Sequence, residues 1–208
     1  MKKVFLFLLA SLMAATALLA QTPEEIIARM DRETDRFEAE GFSMVMEIKV
    51  SLLGSIATTV YSHGDKYKMT MVKDGTQFIN WSDGMTSWEY DSGKNTITIE
   101  NAKPGETSDA EDNAKMLDSV TKGYDVKLRK ETAKTWEFRC TKSKDNTVKD
   151  DPKTMDLVVA KDTYLPVSLK AGKGIVSVIL RDFALNVTEK DVTFDASQYP
   201  NAKIIDKR

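Results

Sequence analysis

One cysteine, Cys140, and one histidine, His63, are all this chain has of the side chains that most often do chemistry. A lone cysteine forbids an intramolecular disulfide, so the fold must be held by its core. Together the two residues all but exclude nucleophile–base pairs and transition-metal clusters. His63 stands beside Gly64 in a turn, where histidine is ordinarily a surface residue. Cys140 alternates with Trp136 and Phe138, which places it among buried apolar side chains. Nucleophile-elbow, P-loop and dinucleotide-binding motifs are missing. Asp145, Asp150 and Asp151 lack the spacing of a calcium loop. No cofactor, no metal and no catalytic residue are therefore expected, and carboxylate pairs are the one catalytic arrangement left open. A surplus of positive charge is also lacking: 30 Lys and Arg stand against 32 Asp and Glu, and no basic stretch stands out. That argues against nucleic acid as a partner.

What is present begins with an export signal. Lys2 and Lys3 precede the apolar run "VFLFLLASLMAATALLA", and "QTPEE" follows. A basic start, an apolar stretch and small residues at its end describe a signal peptide over residues 1–20, cleaved after Ala20 or, as the other option, after Ala17. An uncleaved membrane anchor is the competing reading. Cleavage after Ala20 would move the net charge from -2 to -4. No cysteine lies near the junction, which excludes a lipid-modified N-terminus. Residues 21–208 are expected to form a single domain large enough for a real core.

That domain opens with a helix. Thr22 caps it, Pro23 suits the first helical position and Glu25 completes a capping box. Ile26, Ile27, Met30 and Phe37 fall on one stripe, and Gly41 ends it. The period then changes from helical to two. "FSMVMEIKVSLLG" puts Phe42, Met44, Met46, Ile48, Val50 and Leu52 on one face. Alternating strands follow at 56–62, 65–73, 76–81, 85–91 and 95–101, separated by Gly64-Asp65, Asp74-Gly75, Asp83-Gly84 and Ser92-Gly93. A capping box at Ser108 and Glu111 predicts an inserted helix over 109–121 with a thin stripe of Ala114, Met116, Leu117 and Val120. Strands resume at 124–131, 134–142, 154–161, 165–171 and 175–184. "KSKDNTVKDDPK" reads as a polar, mobile hairpin loop. Strand 175–180 is apolar on both faces and belongs at the centre of a sheet. The fold class is mainly β with helices: about ten or eleven antiparallel strands in one sheet. So large a sheet must curl. The expected form is an unclosed half-barrel covered by the N-terminal helix and the inserted helix.

Met44, Met46, Met69 and Met71, with Tyr67 beside the last two, would line such a barrel. Methionine is soft and adapts to irregular apolar partners, whether core or ligand. A curled sheet of this size readily encloses more volume than its side chains fill. The segment "SDGMTSWEYD" closely resembles the S-D-G-x-x-x-W-x-Y segment of LolA-type periplasmic lipoprotein carriers. The resemblance runs over most of residues 21–208. "TPEEIIARMDRETDRF" precedes "FSMVMEIKV", "GYDVKLRKETAKTWEFRCTKSK" is similar to the hairpin after the lid, and "LPVSLKAGKGIVSVILRDFALNVTEKDVTFDASQYPNAKIIDKR" is similar to the closing strands. It implies an apolar cavity for the acyl chains of lipoproteins. Cargo would come from an inner-membrane ABC transporter and go to an outer-membrane acceptor, with the carrier a monomer in the periplasm of a Gram-negative-type bacterium. Carried over by position, the cavity lining is Met44, Met46, Ile48, Val50, Tyr67, Met69, Met71, Trp88, Tyr90, Ile97, Ile99, Trp136 and Phe138, and the lid is Ile26, Ile27, Met30, Met116, Leu117 and Val120. One departure stands out. Where carriers of this family often have a latch arginine, "SHGDKYKM" has His63 and Lys66, and a lysine cannot make a forked guanidinium contact.

Energetics favour a cavity that grips imperfectly. Each buried CH₂ is worth about 0.8 kcal/mol, so one long acyl chain represents roughly 12 kcal/mol and three roughly 35. Non-covalent affinities saturate near about -20 kcal/mol, and a carrier must also release. The competing function is a LolA-like lipid-sensing or protein-interaction module of the cell envelope. An enzyme acting on a lipid or glycan through carboxylates is a third reading.

Overall fold

The computed structural model describes residues 21–102, 120–149 and 151–208. Residues 1–20 and most of the helix expected over 109–121, Met116 and Leu117 included, lie outside the described residues. The first helix, α1 (Pro23–Thr34), starts on the predicted capping box: Glu25 N–H donates to Thr22 Oγ1 (3.2 Å) and Thr22 N–H to Glu25 Oε2 (2.9 Å). It breaks at Asp35 and resumes as α2 (Arg36–Glu40). The stripe survives the break, and Ile26, Ile27, Met30 and Phe37 are all buried.

Among the described residues twelve strands make one sheet: β1 (Phe42–Val50), β2 (Gly54–His63), β3 (Lys66–Lys73), β4 (Thr76–Ser82), β5 (Thr86–Asp91), β6 (Thr96–Asn101), β7 (Tyr124–Glu131), β8 (Thr135–Lys142), β9 (Thr154–Ala160), β10 (Pro166–Lys173), β11 (Val176–Leu185) and β12 (Lys203–Asp206). Their spatial order is β12-β6-β5-β4-β3-β2-β1-β11-β10-β9-β8-β7. β7 and β12 lie at opposite edges, so the sheet is not closed into a barrel. β11 is internal, as its two apolar faces predict. The strand missed in the sequence is β12, a four-residue piece that lies parallel to β6. Its signal, Ile204-Ile205, is too short to mark a strand, and its partner is about a hundred residues away.

Directly paired residues share a face. On the inner face, one row runs Met44–Val60–Met69–Asn80–Glu89 and the next Met46–Thr58–Met71–Phe78–Asp91. The inner face continues through Leu180, Leu169, Leu157 and Phe138. Met44 from the middle of the sheet and Trp136 and Phe138 from near its edge join Ile26, Ile27 and Met30 of α1 in one core. A single short helix can serve strands that far apart in the order because the sheet curls around it.

The same register puts Tyr61–Lys68–Trp81–Trp88–Ile99 and Thr70–Ile79–Tyr90–Ile97 on the outer face. Trp88, Tyr90, Ile97 and Ile99 therefore do not line the cavity. The chain covers them itself. After β11 it turns through α3 (Glu189–Val192) and lays Phe194 and Tyr199 over the aromatic rows. Phe194 stacks on Trp88 (5.3 Å) and meets Trp81 edge-on (5.3 Å), while Tyr199 lies 4.6 Å from Tyr90.

Candidate functional site

The inner face has a filled end and an open end. At the filled end large side chains meet α1. Trp136 lies 5.2 Å from Tyr164, whose ring carries the Arg29 guanidinium at 4.0 Å and whose hydroxyl donates to Gln21 (2.8 Å). Phe37 stacks on Phe42 (4.9 Å) and on Phe183 (6.3 Å). Met44, Tyr67, Trp136 and Phe138 are all buried. Met44, Trp136 and Phe138, expected to line a cavity, are packed core, because the α1 stripe occupies the space above them.

Toward the open end the inner-face side chains shrink. Ala171 pairs with Met155 on one side and Val178 on the other; Leu169 pairs with Leu157 and Leu180. Above this floor is a cavity of about 820 Å³, walled by Val120 and Tyr124. That size falls within the range of about 300–1,000 Å³ common for ligand pockets. Its rim is largely polar and includes Ser143, Asp145, Asn146, Thr147, Asp151 and Pro152. The loop expected to be mobile is tied down. Tyr124 OH donates to the Pro152 carbonyl (3.0 Å), Asn146 Nδ2 to Asp151 Oδ2 (2.8 Å) and Ser143 N–H to the Gly123 carbonyl (3.0 Å). Gly123 is required at that contact: its φ is +78°, and a Cβ there would meet Asn146 Nδ2 at 2.9 Å. Burial raises the Tyr124 hydroxyl above its ordinary value, so it stays a neutral donor to the rim.

A second cavity of about 270 Å³ lies across the inner face, lined by Thr58, Met69, Met71, Phe78, Asn80 and Glu89. Asn80 Oδ1 has no hydrogen-bond donor among the described residues. Of the residues assigned to the lining from sequence, Met69 and Met71 line this smaller cavity; Val120, assigned to the lid, borders the larger one. Met46 is partly buried against the core. Ile48 and Val50 continue the inner face toward the open end, and Ile48 is exposed. The floor residues Met155, Leu169, Ala171, Val178 and Leu180 were not singled out in the sequence. Only the doubly apolar strand over 175–180 pointed to two of them.

Cys140 is fully buried beside Met155, and desolvation pushes its thiol up to about 11. Lys66, at the place of the missing arginine, pairs with Glu189 of α3, which raises the lysine and lowers the carboxyl. Among the described residues the buried His63 Nδ1 has no hydrogen-bond partner. Among the described residues no group of three or more His, Cys, Asp or Glu is placed to hold a metal, and no helix is long and apolar enough to cross a membrane.

No family model matches the chain, and no curated protein matches it. Solved structures do. A conserved, uncharacterized protein from Thermus thermophilus is 14% identical over 90% of this chain and 100% of its own, with a TM-score of 0.46. LprF from Mycobacterium bovis is 12% identical over 80% of this chain and 95% of its own, at 0.49. A LolA superfamily protein from Nitrosomonas europaea is 14% identical over 85% of this chain and 99% of its own, at 0.32. Structures of the LolA superfamily are thus among those this chain is similar to, and at such identities and scores the likeness is one of outline alone.

Proposed function

We propose that this protein is an exported carrier that holds the acyl chains of lipoproteins, or a similar lipid, in its apolar cavity. It takes them from an inner-membrane ABC transporter, crosses the periplasm as a monomer and gives them up at an outer-membrane acceptor, without catalysis. The observation that carries this reading is the cavity of about 820 Å³ with its floor of Leu169, Ala171, Val178 and Leu180. A binding site for a hydrocarbon needs apolar area and little else, and the floor supplies no charged group. The polar rim suits a ligand whose tail is buried and whose head stays wet. The residue-level resemblance to LolA-type carriers supports the same reading and supplies the two partners. Lys66 is engaged by Glu189, so release here does not depend on a guanidinium latch.

The test is titration of the folded protein with a fluorescent fatty-acid probe in solution. Val178→Glu and Ala171→Glu put a carboxylate on the cavity floor and should weaken probe binding by about tenfold or more, since an unpaired buried charge is costly. Trp88→Ala should leave binding unchanged, because Trp88 lies on the outer face under Phe194. Folded wild-type protein that fails to bind the probe would overturn the proposal.

A further inference from the structure

We infer that the open end of the sheet is a docking surface for an anionic lipid bilayer, with the β1–β2 and β10–β11 turns as its inserting tip. These turns are joined: Ser51 N–H donates to the Ile175 carbonyl (2.9 Å). Together they present Leu52, Leu53 and Ile175 to solvent, with exposures of 104%, 83% and 64%. Three large aliphatic side chains at one protruding point contribute nothing to the core. Leu52 also adds strain. Leu53 N–H donates to the Val50 carbonyl (3.0 Å), closing a turn whose third residue is Leu52 at φ +71°, a place that favours glycine. A leucine kept where glycine is easier, and fully exposed, points to a role outside the fold.

Charge and continuity select the partner. In this antiparallel order the turns after β1, β3, β5, β8 and β10 share one end. That end carries Lys49, Lys73, Lys94, Lys122, Lys144, Lys149 and Lys173 against Asp74, Asp91, Asp145 and Asp151, in a chain whose acids outnumber its bases. The opposite end has the reverse balance, with Asp65, Asp83, Glu131, Asp162, Glu189 and Asp191 against Lys66, Lys134, Lys161 and Lys190. An apolar tip inside a basic rim fits the anionic headgroups and acyl region of a membrane surface. The tip also leads inward. Val50 pairs with Val176, Ile48 with Val178, and Val178 with Ala171 on the cavity floor. A hydrocarbon tail leaving the bilayer at the tip meets apolar side chains all the way to the cavity. The docking stands on the tip and its charge; only this route rests on the cavity being a lipid site.

Because Cys140 is fully buried, a single introduced cysteine in the full chain can be labelled selectively. An environment-sensitive fluorophore at Leu53→Cys should shift to the blue, and be quenched by spin-labelled lipid, on vesicles of phosphatidylethanolamine and phosphatidylglycerol. The same label at Lys134→Cys, in a turn at the opposite end, should not respond. Phosphatidylcholine vesicles, or salt near 1 M where the Debye length is only about 3 Å, should reduce the shift. Adding Leu52→Ser with Ile175→Ser should abolish it while fatty-acid binding in solution persists. No shift at residue 53 on anionic vesicles overturns the inference. So does an equal response at 134, which marks anchoring elsewhere, or a concentration-dependent shift without vesicles, which marks a second copy on the tip. Loss of probe binding with insertion intact would sink the cavity reading and leave this one standing.

Discussion

Gly41 joins the helical and extended parts of the chain at a point that admits no side chain. Its φ is +68°, and a Cβ there would lie 2.3 Å from the Val187 carbonyl oxygen and 2.9 Å from that of Ser62. Both obstacles are backbone and cannot swing aside. Gly41→Ala should cost about 2–4 kcal/mol and lower the midpoint of thermal unfolding by roughly 5–15 °C. Cys140 gives a second test at this scale. Burial disfavours the thiolate and lifts its pKa to about 11. At pH 8 only about one molecule in a thousand then carries the reactive form. Native protein should resist iodoacetamide at pH 8, whereas guanidinium-unfolded protein should be alkylated quickly, and equal rates would refute the burial. The linked effect on stability has one sign. It is nil below the ordinary thiol value near about 8.5, and stability then falls as pH climbs toward 11.

At the scale of elements, the segment after β11 acts as a strap. Val192 of α3 is buried, Phe194 and Tyr199 cover Trp81, Trp88 and Tyr90, and β12 pairs along the edge strand β6. Without the strap, an apolar outer face and a bare strand edge would meet water, and a bare edge invites pairing with another chain. Phe194 is half-buried, and its ring meets two tryptophans. Phe194→Ala should therefore cost about 2 kcal/mol, between an aromatic pair and a fully buried ring. The readout is a lower unfolding midpoint together with a red shift of tryptophan emission, while fatty-acid binding on the inner face is unchanged. A blue-shifted or unaltered spectrum would show that the strap does not shield Trp81 and Trp88. The far edge needs no strap, since β7 presents Lys127, Arg129 and Lys130, charges that discourage edge pairing.

For the whole molecule, the decisive feature is uneven filling of one curled sheet. Its N-terminal half runs from β6 to β1 and its C-terminal half from β11 to β7, joined along β1 and β11. α1 fills one end of the shared inner face with Ile26, Ile27 and Met30 against Met44, Trp136 and Phe138. The other end keeps small and medium side chains and a cavity. The filled end holds the fold, and the open end, basic and tipped with leucine, is where a ligand can enter. On the proposed function, ligand binding and stability would occupy opposite ends of one layer.

How much of this the sequence reveals follows from the range of the forces involved. Period-two alternation, turn residues and capping boxes are local, so all eleven predicted strands and the N-terminal helix stand where those signals place them, with shifts of one or two residues. The inner face of β1 to β3 was equally legible, because Met44, Met46, Met69 and Met71 alternate in plain view. Alternation does not say which of two apolar faces points inward, and β5 and β6 carry their bulk on the outer one. Only the register through β3 and β4, and the arrival of Phe194 and Tyr199 from a hundred residues away, decide that Trp88 and Tyr90 are structural. The cavity floor, the ordered rim and the gathering of scattered lysines at one end are likewise set by tertiary structure. Each depends on residues far apart in the chain whose volumes and charges acquire meaning only when the curled sheet brings them together.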